Sequence, residues 1–492
     1  MRPRIQLLSP ELIGRILREA FELLMNPGVR VGSAVIEQLQ SAGVEVHNGV
    51  ARIPESLVRR CLASVPRDFY LYNRQGEKAV HYGGDDVHFD PGSCCVQMLD
   101  PDTLEARSSE TRDLVRIVQV TETLPQFAAQ STAVVCNDAV VGNDIVGSHN
   151  DAPSAIGDLY RLFVVLQHSD KPVVTGSFSA AGLQGMIELL AADSGSLENL
   201  RLQPRAVFDV CSSPPLNWSE FGSHNLLDLA RAGVPAEIVS MPLAGGTAPV
   251  TLAGSVTQHA AETLAGITLH QLAGPGSPIV WGGAPAIFDM RTGGAPMGAV
   301  ETAMLNMACA EVGKHLSLPT HGYLVATDSK FVDAQAGAES ARSAMLGALT
   351  SINMISGAGM IESLACFSVE KLVIDAESIA SAQRLVRGIE VRGETLATAM
   401  FAQTGLSGEF LKLNETRELF RQEQHIPCPV IDRSARGSEP PSDIFKRART
   451  RVDELVSKYR KPSLPEDVLR KFQAIVNREA DRAGVAAGLP KN

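Results

Sequence analysis

From about residue 87 onward the chain alternates between apolar, β-rich runs and helical stretches, and this alternation constrains its fold more than any other feature. The strand candidates are Cys94–Leu99, Ala128–Cys136, Pro172–Thr175, Val207–Cys211, Ile238–Met241, Ile279–Trp281, Gly322–Ala326 and Met354–Gly357. Amphipathic or Ala-rich helices are predicted between and after them, near 109–123, 155–168, 180–192, 222–232, 252–273, 298–316, 333–350 and 376–389. Eight strands, each followed by a helix, over roughly 300 residues match an α/β fold of the (β/α)8 TIM-barrel type. Such alternation marks a parallel sheet. A doubly wound open sheet meets the same pattern, because spacing does not fix strand order in space.

Residues 1–86 read as an N-terminal helical and hairpin cap. Ser9-Pro10-Glu11 is a helix start, a second helix follows Gly32-Ser33, and Pro54 to Ala63 gives a third. Phe69–Asn73 and Lys78–Tyr82 flank Arg74-Gln75-Gly76-Glu77 as a hairpin. The barrel is expected over 87–392 and a helical extension over 393–492, interrupted by a linker, Arg433 to Pro441. Ile444 to Lys461 carries seven basic residues against two acidic ones, which reads as a solvated helix face.

Composition narrows the function. With 45% hydrophobic and 20% charged residues the chain can bury a substantial core. A net charge of −11 argues against nucleic acid, since no basic field exists to neutralise phosphates. No signal peptide or membrane span is evident. The eight cysteines show no CxxC pair and no framework, so a reducing cytoplasm is the expected home. Scattered His and Cys lack metal-ligand spacing, and no metal site is expected.

Ligands in α/β proteins gather where strand carboxyl ends meet loops. The stretch Thr327 to Glu339, where an apolar run ends in charged and amide side chains, is therefore the first place to look for chemistry. Asp328 and Asp333 are its best catalytic carboxylates, although Asp328 could cap a turn and Asp333 could cap the next helix. Lys330 near a strand end admits Schiff-base lyase or aldolase chemistry, or a plain ion pair.

Taken together, these landmarks resemble the trimethylamine–corrinoid methyltransferase family. The likeness is carried by Leu8-Ser9-Pro10, Gly43-Val44-Glu45-Val46, Ile53-Pro54 through Val65-Pro66-Arg67-Asp68-Phe69, and Phe221-Gly222-Ser223-His224-Asn225. It continues in Pro242 through Gly254, Asp289-Met290-Arg291-Thr292-Gly293, Thr327 to Glu339, and Ser368 through Asp375. The resemblance implies a TIM barrel that moves a methyl group from a methylated amine to the Co(I) of a separate corrinoid (cobalamin) protein. Members acting on trimethylamine carry pyrrolysine. This sequence has only the twenty ordinary residues, so it is more similar to the non-pyrrolysine branch, some of whose members demethylate quaternary amines such as glycine betaine.

A quaternary ammonium would sit against aromatic faces beside a carboxylate. Under the resemblance, Phe178, Trp218, Trp281, Tyr323 and Phe331 become substrate-contact candidates, with Glu220 and Gln335 as polar partners. Arg291 or Lys330 would take a substrate carboxylate. Gly245, Gly246, Gly282 and Gly283 would let a corrin ring or substrate approach the backbone, with ordinary loops as the alternative. A corrinoid-binding protein is the implied partner, and homo-oligomer formation is expected of a barrel with apolar helices. The alternatives are the Lys330 lyase and a barrel that binds a methylated amine without turnover.

Overall fold

Short apolar strands buried on both faces pair in parallel and need helices outside them. In the computed structural model, which describes residues 2–139, 154–435, 440 and 442–484, a closed ring meets that need. Its strands are β1 (His88–Pro91), β2 (Gln130–Ser131), β3 (Val173–Gly176), β4 (Ala206–Cys211), β5 (Ala236–Val239), β6 (Ile279–Val280), β7 (His321–Tyr323) and β8 (Met354–Ala358). Parallel ladders join β2 through β6 in sequence, and join β7 to β8 to β1. Two junctions complete the circle. Trp281, just past β6, bridges Thr320 and donates to the Pro319 carbonyl at 2.9 Å. Ala128, just before β2, donates to Phe89 in β1, also at 2.9 Å. The barrel reading holds and the open sheet does not.

The outer helices are α1 (Thr111–Thr123), α2 (Ser154–His168), α3 (Ala180–Asp193), α4 (Glu220–Ala232), α5 (Leu252–Ala273), α6 (Val300–His315), α7 (Ala334–Leu349) and α8 (Val369–Arg387). The last begins earlier than its periodicity suggests. Ser368 caps it by accepting from the Lys371 N–H, and its first two turns bury Glu370, Lys371 and Asp375, which break the expected polar face.

One strand is misplaced by the sequence reading. The first barrel strand is His88–Pro91, not Cys94–Leu99. Cys94 and Cys95 extend the β1–β2 contact through bonds to Thr132 and Ala133. Gln97–Leu99 belongs to a small sheet with Ala106–Ser108 and Cys366–Phe367. The true strand carries His88 and Asp90 and so lacks the apolar signature.

The hairpin of Phe69–Tyr72 and Lys78–Tyr82 closes the barrel's lower end. Leu71, Val80 and Tyr82 pack there against Ala129, Val174, Val207, Val280 and Met354. The helices Pro10–Met25 and Glu55–Ser64 lie against α5. At the other terminus, Ile444–Lys458 buries Ala448, Val452 and Leu455, while Glu466–Ala483 buries Phe472, Val476 and Ala480. The basic run is thus the outer face of a docked helix. The linker expected at 433–441 lies partly outside the described residues. No described helix is long and apolar enough to cross a membrane.

Candidate active site

Side chains alternate along a barrel strand between lumen and helices. The inward positions above the apolar floor are polar: Asp90 on β1, Asp209 on β4, Glu237 on β5, His321 and Tyr323 on β7, and Ser356 on β8. Asp209 and Glu237 lie opposite one another in the β4–β5 register. The Tyr82 hydroxyl, from the floor hairpin, donates to Glu237 Oε2 at 3.0 Å. His321 Nδ1 lies 3.2 Å from Glu237 Oε1. His321 Nε2 meets Ser356 Oγ at 3.0 Å, and Ser356 Oγ donates to Asp90 Oδ1 at 2.6 Å. Groups from β1, β5, β7 and β8 can meet in this way only inside the ring.

Burial dominates the electrostatics. It raises Glu237 and Asp90 well above the usual carboxylate range, and the two acids and Asp209 reinforce one another by mutual repulsion. Asp209 is raised to about 7, again mainly by loss of solvent. Burial lowers His321 to about 3, so its imidazole is neutral. Asp209 alone of the three acids is only half-buried, which places it on the open side of the layer.

Toward the carboxyl ends of the strands, Arg161 of α2 pairs with Asp158 at 2.6 Å and donates to the Thr132 carbonyl and to Cys94 Sγ. Cys94 has φ +68°, a conformation that costs a non-glycine residue energy and that clusters at functional sites. Asp158 also accepts from the Phe178 N–H, fixing the loop after β3. Around that end, the loops expose Phe178, Met241, Val250, Met290 and Phe331, an apolar rim.

The residues proposed from sequence are dispersed. Trp218 and Trp281 are fully buried outside the ring, with indole N–H groups bonded to the Glu262 and Cys309 carbonyls of α5 and α6. A burial this complete against helices removes them from any ligand. Glu220 binds the Ser33 backbone and hydroxyl, tying α4 to the N-terminal segment. Asp333 caps α7 by accepting from Ala336. Asp328 accepts from Met297 and Gly298 and from the Ser363 hydroxyl, which makes it a clamp between loops and not a lumen acid. Gln335 bonds Glu339 at the surface. Arg291 is paired with Asp289 and is 87% exposed. Gly245 has φ +89°, as its turn requires, and Gly246 packs beside Phe288. A Cβ on Gly282 would press on His321 and one on Gly283 would strike His259, so these two glycines make room for histidines. Tyr323 does enter the lumen, where its hydroxyl accepts from Ser93, and Phe178 and Phe331 stand on the rim.

Lys330 is 73% exposed with Glu362 at 3.9 Å. A Schiff-base lysine needs a desolvated setting that favours the free amine, and this one is solvated. Lys330→Ala is expected to leave turnover within about twofold of wild type, as for a surface pair worth under about 1 kcal/mol. A loss beyond tenfold would revive the lyase reading. Among the described residues, no three His, Cys, Asp or Glu side chains form a group that could hold a metal ion.

The family model described as trimethylamine methyltransferase (MTTB) matches residues 1–484 of this chain. The chain belongs to the trimethylamine methyltransferase (MTTB) family. It is 28% identical over 487 residues to a trimethylamine methyltransferase of Desulfitobacterium hafniense (strain DSM 10664 / DCB-2), covering 98% of this chain and 95% of that one. It is 30% identical over 499 residues to a trimethylamine methyltransferase of Methanosarcina mazei, covering 97% and 96%. A glycine betaine methyltransferase of D. hafniense (strain Y51) is 26% identical over 486 residues, covering 98% of both chains. Among solved structures, the monomethylamine methyltransferase of Methanosarcina barkeri aligns with a TM-score of 0.50 at 10% identity, covering 99% of this chain and 90% of that one. That likeness shows a shared fold.

The protein is an MTTB-family methyltransferase, and its inward acids lie in the barrel interior, directly above the floor hairpin. Asp90, Asp209, Glu237 and His321 were all missed from sequence. The signal was a lone acid inside an otherwise apolar strand, as in Ala206-Val207-Phe208-Asp209-Val210 and Ala236-Glu237-Ile238-Val239. A charge there must face water, a partner or a ligand.

Proposed function

We propose that this chain removes a methyl group from a quaternary amine, a betaine such as glycine betaine, and passes it to the Co(I) of a corrinoid protein docked over the barrel mouth. The observation that carries this reading is the lumen layer of Asp90, Asp209 and Glu237, three inward carboxyl groups above an apolar floor. Asp209, raised only to about 7, supplies negative charge there at neutral pH that favours the ammonium end of a betaine. A quaternary ammonium already has a neutral tertiary amine as its leaving group, so no electrophilic adduct is needed, in keeping with a sequence of ordinary residues. The glycine betaine methyltransferase among the relatives supports this choice of substrate.

The corrinoid, when bound, supplies a cobalt nucleophile for the methyl carbon. The chain's share is to hold the ammonium in line with the opening and to exclude water. Asp209, on the open side, faces the cation, and Tyr323 supplies an aromatic wall. The exposed Phe178, Met241, Val250, Met290 and Phe331 suit a flat macrocycle or its carrier, since a cluster of exposed apolar groups marks a contact surface.

The test is formation of methylcobalamin, followed by visible absorbance, from Co(I) cobalamin and a panel of glycine betaine, carnitine, choline, proline betaine and trimethylamine. Methylation by one quaternary amine and none by trimethylamine is expected. Silence across the panel, repeated with a cognate corrinoid protein, would favour binding without turnover.

A further inference from the structure

The stretch from Ile389 to Ile426, between α8 and the docked C-terminal helices, has no core of its own. Only Leu413 is buried between residues 389 and 427. The helices Thr398–Thr404 and Asn414–Glu423 bury no side chain. At 7 and 10 residues they fall short of the length, about 12–15, at which isolated helices hold in water, so packing must sustain them. Within the chain, Phe401 meets Phe410 edge-on with ring centroids 5.1 Å apart, and Arg384 of α8 donates to the Glu423 carbonyl at 2.8 Å. Apolar side chains nevertheless face outward along the whole arm: Ile389, Val391, Leu396, Leu406, Leu411 and Ile426 are all exposed. Together they leave on the order of 800 Å² in water, more than the largest patch of a typical monomer, about 300–600 Å². It is also one partner's share of a standard interface, about 800 Å².

We propose that this arm joins two copies of the chain across a two-fold axis, each arm lying on the other copy beside α7 and α8. Both halves of such a contact stand on one chain, at one end of it. An open cavity of about 810 Å³ at the arm's root is lined by Pro3, Met345, Leu385 and Ile389, together with His425 and Arg433. It offers an apolar hollow to the apolar side chains of a second arm. A protrusion and a hollow on the same molecule meet the requirement of an isologous contact, in which a surface must complement itself. Position decides against a corrinoid protein as the occupant. Ser368, at the start of α8, bonds to Gly359 just past the carboxyl end of β8, so α8 runs back from there toward the lower end. At that end Ile5 bonds to Leu349, the last residue of α7, and Pro3 shares the cavity with Leu385 of α8. The 19 residues of α8 set the arm's root roughly 28 Å from the level of the barrel mouth. A pair formed there leaves both mouths open, so this proposal stands independently of the methyl-transfer reading.

The test is the mass of the full chain in solution by sedimentation velocity, wild type against a Leu406→Glu, Leu411→Glu double variant. Wild type is expected at twice the mass of one chain at micromolar concentration. The variant is expected at the single-chain mass, its dissociation constant raised at least about 100-fold, as when central apolar anchors of an interface are lost. Both leucines are exposed, so the added charge acts on the pair and not on the monomer's core. Emission from Trp218 and Trp281, both fully buried in the barrel wall, should stay unchanged and so separates a lost pair from a lost fold. Amide exchange gives the same answer without substitution: across 398–404 and 414–423 it should quicken as the wild type is diluted and its arms lose their partner. A larger wild-type assembly supports the pairing if the variant halves its mass. A wild-type monomer at micromolar concentration, with exchange in the arm independent of dilution, overturns the pairing and leaves the arm to a different protein. An assembly whose mass the variant keeps places the interface elsewhere and overturns it equally.

Discussion

Replacing Asp209 with asparagine is expected to lower kcat/KM for a quaternary amine about 100-fold, mainly through KM. The substitution keeps shape and hydrogen bonding but removes the most accessible negative charge facing the substrate. A charge-assisted contact in a partly dry site is worth about 1.5–3 kcal/mol, and each factor of ten corresponds to about 1.4 kcal/mol. The pH dependence has a defined sign. With Asp209 raised to about 7, the residue is largely protonated at pH 6 and ionised at pH 8, so KM for the cation should fall as pH rises through neutrality. In Asp209→Asn that step should vanish. Stability runs the other way. Between the ordinary value of 3.8 and about 7 the folded state holds a proton that the unfolded chain has released, so stability declines as pH rises across that window. The variant should flatten this decline, as measured by urea unfolding at several pH values. An unchanged KM would show that Asp209 does not face the substrate.

The barrel was legible in the sequence because most of its strands lie in apolar runs, with residues such as Ile279 and Ile355 facing the helices and Val280 and Met354 facing the floor cluster. The strand that was missed, His88–Pro91, contributes two polar side chains in four positions. Polar strands therefore evade a search for apolar runs at the places where chemistry sits. The candidates that lie away from the lumen were chosen for a related reason. The run Thr327 to Glu339 drew attention by its density of charge, yet those charges cap α7 and fasten loops. The two tryptophans drew attention by their rarity. Large indoles at the strand–helix interface need small neighbours, and Gly266 and Gly313 provide the space: a Cβ at either would strike Trp218 or Trp281. A rare aromatic followed in sequence by a glycine-containing helix was a packing signal, and local spacing alone did not separate it from a ligand wall.

Asp158→Ala is expected to destabilise the fold by about 3–5 kcal/mol, the usual result of removing one partner from a buried ion pair. The pair with Arg161 lies one turn apart on α2, and both side chains are almost wholly enclosed. Without Asp158 the guanidinium would keep its bonds to Thr132 and Cys94 but lose its counter-charge, and moving into water would require opening the barrel wall. Removing both charges should behave differently. An Asp158→Leu, Arg161→Met chain is expected to recover most of the loss, because a buried pair and an apolar substitute of similar volume are nearly equivalent. Urea unfolding of the two singles and the double gives the coupling directly. The pair has a second consequence that stability does not report. Asp158 also holds the backbone at Phe178, so the double variant should remain folded while the loop after β3 exchanges its amide protons faster. A single Asp158→Ala costing under about 1 kcal/mol would mean that Arg161 reaches solvent. The mouth of the barrel would then be wetter than the enclosed ion pair indicates, with less of the charge contrast that the lumen acids need to select a cation.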